Sequence, residues 1–161
     1  MRKLLCVFCG FVFILTSAFS QIEVKYFYDS AWKGCNLENA KYYRIFKIDP
    51  NGKPIGEIKD YYITGELQCI VERASYIDKD DDSKSLTYGK STGYYKSGKI
   101  EFQNLSDNNS QIIKSLFFYE NGNKKKSQVK SNNVISDTFF YVNGKIQSTF
   151  TYINEKLEGL K

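Results

Sequence analysis

Two aromatic residues, a turn and an alternating run recur along this chain. The copies read "YYITGELQ" from Tyr61, "YYKSGKIEF" from Tyr94, "FYENGNKK" from Phe118, "FYVNGKIQ" from Phe140 and "TYINEKLEG" from Thr151. Aligned on the turn, they place Gly65, Gly98, Gly122 and Gly144 in register, with Asn154-Glu155 at the fifth turn. The spacings are 33, 24, 22 and 11 residues. Gly52, in "DPNGKPIG", marks an earlier turn of the same kind. Such periods predict stacked supersecondary units, and Asn-Gly between alternating runs is the strongest local hairpin signal. Asn121-Gly122 and Asn143-Gly144 predict type I′ turns, which need positive φ at both central residues. Thr64-Gly65 and Ser97-Gly98 predict a longer turn or a bulge, and Glu155 is the poor fit because a side chain there is strained.

Adjacent residues of a strand point to opposite faces, so each aromatic pair sends one ring each way. A lone hairpin is at best marginal in water. Stacking lets the inward ring of each pair, with the following Leu67, Ile100 or Ile146, build a continuous apolar seam that neighbouring units bury. "YYRIFKI" (42–48) reads as a strand with Tyr42, Arg44, Phe46 and Ile48 on one face. The expected fold is all-β: an elongated, twisted antiparallel sheet of successive hairpins. Residues 21–60 form an N-terminal cap with the first strands, and residues 61–161 form the hairpin repeats. Trp32, the sole tryptophan, is read as closing the open end of the first hairpin, against an exposed ligand platform.

The first twenty residues read as a secretory leader. Arg2 and Lys3 precede the apolar stretch Leu4–Leu15, and "TSAFSQ" offers small residues before Gln21. The run is shorter than the roughly 20 residues a membrane-spanning helix needs. Cys6 and Cys9 lie too early to be lipidated after cleavage. Secretion to the periplasm or cell surface is expected, leaving a mature chain of 21–161. Loss of Arg2 and Lys3 lowers the net charge from +5 to +3, scattered rather than striped, so no nucleic-acid partner is expected. The one basic run, Lys124-Lys125-Lys126, reads as a solvated hairpin tip rather than an anion contact.

Cleavage also leaves two cysteines, Cys35 and Cys69, in an oxidising compartment. A disulfide between them is the natural reading, stabilising by about 3–4 kcal/mol in the chain-entropy model. Two separate buried thiols are the alternative. The chain contains no histidine, which weighs against the commonest general base and most zinc sites. Asp78, Asp80 and Asp82 in "YIDKDDDSKS" alternate as calcium ligands do, but Ser83 and Gly89 stand where an EF-hand loop needs glycine and glutamate. That segment is read as a solvated acidic loop. No metal and no cofactor is expected.

The pattern aromatic-Tyr-x-[Asn/Ser/Thr]-Gly-[Lys/Glu]-[Leu/Ile] resembles the MORN-type repeat, and more closely its bacterial YwqK-like variant, over about residues 60–159. Glu155 departs from it at the turn, and residues 73–93 and 103–115 interrupt the period. The resemblance implies a twisted sheet of hairpins with one face used for contacts to protein or lipid.

Function is therefore expected to be non-enzymatic: a protein-binding or scaffold module of the bacterial envelope or the cell exterior. Removing Phe8, Phe11, Phe13 and Phe19 with the leader leaves 22 of the 26 aromatic residues, too many for one covered face. Tyrosine offers contact area with a polar tip. The expected contact residues are the outward members among Tyr61, Tyr62, Tyr94, Tyr95, Tyr119 and Tyr141. Carbohydrate binding, glycan processing through carboxylates such as Asp60, Glu66, Glu101 and Glu120, and peripheral lipid binding are the alternatives. A +3 chain without a long basic cluster offers anionic lipid little.

Overall fold

The computed structural model describes residues 21–154 and 156–160. The expected leader (1–20) and Glu155 lie outside the described residues. Eleven strands form one open antiparallel sheet in sequence order: β1 (Ile22–Tyr28), β2 (Tyr42–Ile48), β3 (Pro54–Tyr62), β4 (Leu67–Tyr76), β5 (Leu86–Tyr94), β6 (Ile100–Ser106), β7 (Ile112–Phe118), β8 (Lys124–Ser131), β9 (Val134–Phe140), β10 (Ile146–Ile153) and β11 (Lys156–Leu160). Each strand pairs only with its neighbours in sequence. The expected all-β sheet of successive hairpins is what the chain forms. Residues 21–60 enter that same sheet through β1, β2 and most of β3.

One turn geometry recurs seven times. The N–H of Tyr62 donates to the carbonyl of Glu66, and the Tyr62 carbonyl accepts from Gly65; Tyr95, Tyr119 and Tyr141 repeat the pattern. Asp29, Asp49 and Asp107 head the other three turns, each with a carboxylate oxygen accepting from the N–H groups two and four residues on. The fourth residue is left-handed every time: Gly52, Gly65, Gly98, Gly122 and Gly144, but also Trp32 (φ 58°) and Ser110 (φ 64°). These are three-residue loops, a type I turn followed by a left-handed residue. The type I′ expectation at Asn121-Gly122 and Asn143-Gly144 is thus corrected. Both asparagines keep negative φ and use Oδ1 to accept the N–H two residues on, that of Asn123 or Lys145.

A bulge follows every tyrosine-headed turn. Asp60↔Cys69 gives way to Tyr61↔Leu67, Gly93↔Phe102 to Tyr94↔Ile100, Phe117↔Lys126 to Phe118↔Lys124, and Phe139↔Ser148 to Phe140↔Ile146. The extra residue raises local twist, so the sheet twists once per repeat.

Side chains divide between two faces. On one, Phe46, Ile58, Cys69, Val71, Ala74 and Ile77 form a buried cluster, with Val24, Tyr26, Ile48 and Phe102 against it. Phe102 lies flat over Gly93, where a Cβ would come 2.0 Å from its ring. Two loops, 29–41 and 77–85, cover this face. They meet in a bridge between Lys33 and Asp81, and the Tyr28 hydroxyl donates to the Asp78 carbonyl at 2.9 Å. Among the described residues, no strand or loop segment covers the other face.

Candidate functional site

The tyrosine-headed turns all sit at one end of the sheet, at every second strand junction. Each second aromatic of a repeat reaches across to the next repeat. The Tyr62 hydroxyl donates to the Tyr94 carbonyl at 3.0 Å, Tyr95 to Phe118 at 2.7 Å and Tyr119 to Phe140 at 2.8 Å. The accepting carbonyl always belongs to the first aromatic of the following repeat. Burial pushes the Tyr62 and Tyr95 hydroxyls above their ordinary pKa, with Glu101 adding to both. The pair recurs because one ring ties repeats together. Tyr119→Phe, which keeps the ring, is expected to cost about 1 kcal/mol, measured as a lowered urea midpoint with unchanged slope.

That ladder leaves the first aromatic of each pair for the uncovered face, so the seam with Leu67, Ile100 and Ile146, expected to run inward, lies on the open side instead. Strand alternation sets Phe27, Tyr43, Tyr61, Tyr94, Phe118 and Phe140 on it. In the register, Phe27 pairs with Tyr43, Tyr43 with Tyr61, Tyr61 with Leu67, Tyr94 with Ile100 and Phe140 with Ile146. Phe118 faces Lys124, the one cation of the series. The seam crosses ten strands, about 45 Å at the usual strand spacing. The Tyr43 and Tyr61 rings stack at 5.0 Å and 10°, Phe27 lies 6.5 Å from Tyr43, and Lys25 Nζ sits 4.1 Å above the Tyr43 ring. All six aromatics are half-buried, flanked by one another but open to solvent. Beside Tyr61 opens a groove of about 520 Å³, lined by Glu23, Ile45, Lys47, Ile55 and Lys59 among others.

The candidate residues divide accordingly. Tyr61 and Tyr94 lie in the seam, whereas Tyr62, Tyr95 and Tyr119 serve the ladder. Tyr141, at the last such turn, is 52% exposed and its hydroxyl has no acceptor among the described residues. Glu66 accepts from the Thr64 hydroxyl, which holds its carboxyl below the usual range. Lys124–Lys126 open strand β8 rather than forming a tip. Lys126 pairs with the buried Asp137 at 2.9 Å and lies over the Phe139 ring.

Asp60 is buried beneath the loops. Arg44, 3% exposed, donates to both its oxygens, Nε to Oδ1 at 2.7 Å and Nη2 to Oδ2 at 2.9 Å, while Nη1 donates to Asp82. Burial works against the guanidinium charge, but Asp60 and then Asp82 raise its pKa above the ordinary value. Trp32 stacks on Tyr42 at 4.5 Å and 5°, in its capping role, and its carbonyl accepts from Asp82. The segment read as a solvated acidic loop is therefore half of the cover. Asp78 accepts from the Asp80 and Asp81 amides, Asp81 pairs with Lys33 at 2.6 Å, and Asp82 reaches Arg44. The sequence named Asp60 as a carboxylate and set Arg44 on the strand face with Phe46. The missing signal was Asp82, 38 residues from Arg44 and brought to it only by loop packing.

Cys35 and Cys69 are both free thiols, which corrects the expected disulfide. The Cys35 amide donates to Phe27 on β1, whereas Cys69 pairs with Asp60 and Gly93 on β4. Cys35 is thus held in the 29–41 loop beside β1 and Cys69 in the core on β4. Burial pushes the Cys69 thiol up to about 12, so it serves as a small core residue.

Compared with known proteins, the chain matches no family model, no curated protein and no solved structure.

Proposed function

We propose that this chain is a secreted, non-enzymatic repeat module of the MORN type, in its bacterial YwqK-like variant. It binds a protein in the bacterial envelope or at the cell surface through the uncovered aromatic seam. The observation that carries this reading is the division of labour within each aromatic pair. One ring is consumed by the ladder, while its neighbour recurs on six strands, β1, β2, β3, β5, β7 and β9, on a face that no strand covers among the described residues. The rings stabilise one another across the strands, yet their outer faces stay open to solvent, and contiguous exposed apolar surface marks interaction sites. Tyrosine and phenylalanine there supply large contact area at little conformational cost.

Glycan contact is the second reading, supported by the opposite face beyond the covering loops. There Phe102, Phe117 and Phe139 run beside a polar row of Asn104, Ser115, Gln128 and Asp137. Crosslinked capture from envelope extract, with the tagged chain as bait, separates the two. Recovery of one dominant protein, lost in the double variant Tyr94→Ser/Phe118→Ser while its circular dichroism is unchanged, is the expected result. Capture that survives this change counts against the seam. Retention on polysaccharide, abolished by Phe117→Ala instead, favours the glycan.

A further inference from the structure

We propose, resting on the binding reading above, that the partner of the seam is an acidic protein segment with an apolar anchor, seated over β5–β7. Strand alternation continues the uncovered face from Tyr94 to Thr92 and Lys90, and from Phe118 to Leu116 and Lys114. The register sets Lys90 opposite Leu105, Leu105 opposite Lys114, and Lys114 opposite Val129. Cation and aliphatic side chain thus alternate from strand to strand, with the Lys90 and Lys114 backbones about 10 Å apart at the usual strand spacing. Between the two lysines opens a groove of about 200 Å³, lined by them with Gln103, Leu105 and Leu116 among others. Leu105 is 42% exposed on its floor.

Charge is divided unequally between the faces. Arg44 and Lys126, on the covered side, are matched by Asp60, Asp82 and Asp137. Lys90, Lys114 and Lys124, on the seam side, have no acid within ion-pair distance among the described residues. Glu72, on the neighbouring β4, spends its carboxylate on the Lys90 N–H at 3.0 Å and on Arg73 at 3.7 Å. β5 and β7–β9 contain one acid between them, Asp137, and it is buried on the other face. Glu101, the acid of β6, stands near the ladder tyrosines Tyr62 and Tyr95, whose pKa it raises. Over β1–β3 the seam face is balanced, with Glu23 and Glu57 beside Lys25, Lys47 and Lys59. The excess of cations therefore lies over β5–β8.

Unpaired ammonium groups beside exposed apolar surface select a partner that brings carboxylates, and complementary charge of this kind sets specificity and association rate. The groove narrows the class further. Leu105 and Leu116 gain from a leucine- or phenylalanine-sized side chain that excludes water between them. An acidic polysaccharide would meet the lysines but has no apolar group for this groove, and no aromatic platform for a sugar ring stands between the two leucines. A protein segment carrying both acids and an apolar side chain satisfies each feature at once.

Fluorescence anisotropy of labelled peptides mixed with the full chain tests this. The probe is a short peptide repeating Glu-Glu-Leu-Leu, which when extended alternates acid and leucine along each face. The expected result is saturable binding that weakens with salt and is lost when glutamine replaces the glutamates. Lys90→Gln/Lys114→Gln should weaken it about tenfold, and Leu105→Gln should weaken it as well. Circular dichroism should not change, because all three side chains are exposed. Lys130→Gln, exposed on the opposite face, should bind like the parent. A probe that does not bind, a glutamine peptide that binds equally, or a double-lysine variant that binds like the parent overturns the proposal. Tighter retention of a polyuronate than of the peptide overturns it in favour of a glycan. If the envelope partner is lost in Tyr94→Ser/Phe118→Ser yet kept by Lys90→Gln/Lys114→Gln, the binding face stands and only its acidic preference falls.

Discussion

Replacing Arg44 by alanine is expected to destabilise the chain by about 3–5 kcal/mol, the usual cost of breaking a buried ion pair from one side. The change leaves Asp60, 2% exposed, without its bidentate partner, and releases Asp82 from the sheet. It also removes the cation that sits 5.4 Å from the Tyr28 ring and 5.7 Å from Trp32. Loops 29–41 and 77–85 should therefore loosen together, although more than 40 residues separate Trp32 from Asp82. The measurement is the urea midpoint, with Trp32 fluorescence as a local probe. The double replacement Arg44→Met with Asp60→Leu should recover most of the loss, because apolar residues of similar size often replace a buried pair at no cost. A double variant as unstable as Arg44→Ala would show that shape, not charge pairing, holds the cover.

Ile58→Ala carries the second large effect, about 2–5 kcal/mol for an emptied core position. Ile58 is fully buried, between Phe46 on β2 and Val71 on β4. Its consequence should be uneven along the chain. Among the described residues, every buried hydrophobic side chain lies between Tyr28 and Ile77, and beyond that point the buried side chains are Thr92, Ser115 and Asp137, all polar. A sheet whose strands pair only with their neighbours, and reach no further than two strands on through the hydroxyl ladder, behaves as a near one-dimensional array. Its open end should exchange amide protons through local events, and the covered end through larger ones. Amides of β8–β10 are thus expected to exchange faster than those of β2–β4 in the parent. Ile58→Ala should accelerate β2–β4 far more than β8–β10. Equal acceleration everywhere would mean that the sheet opens as a single unit.

The sequence by itself determined the architecture. Turn residues at matching offsets and period-two alternation left a hairpin sheet as the consistent solution, whereas the pairing of Tyr61 with Leu67, Tyr94 with Ile100 and Phe140 with Ile146 comes from the bulge after each three-residue turn. Such features are local: a turn glycine and the residues flanking it settle their geometry within a few bonds. Tertiary structure decided what depended on distant partners. Which ring of each pair faces solvent was fixed by the reach of a hydroxyl to a carbonyl 21–32 residues away. The acidic loop became a cover because Arg44 offered a second donor edge once Asp60 had filled the first. The cysteines remained unpaired because one is held in the 29–41 loop beside β1 and the other in the core on β4, a placement that counting cysteines does not reveal. Alternation names the two faces of a strand, but only the packing of loops 29–41 and 77–85 chooses which one is covered.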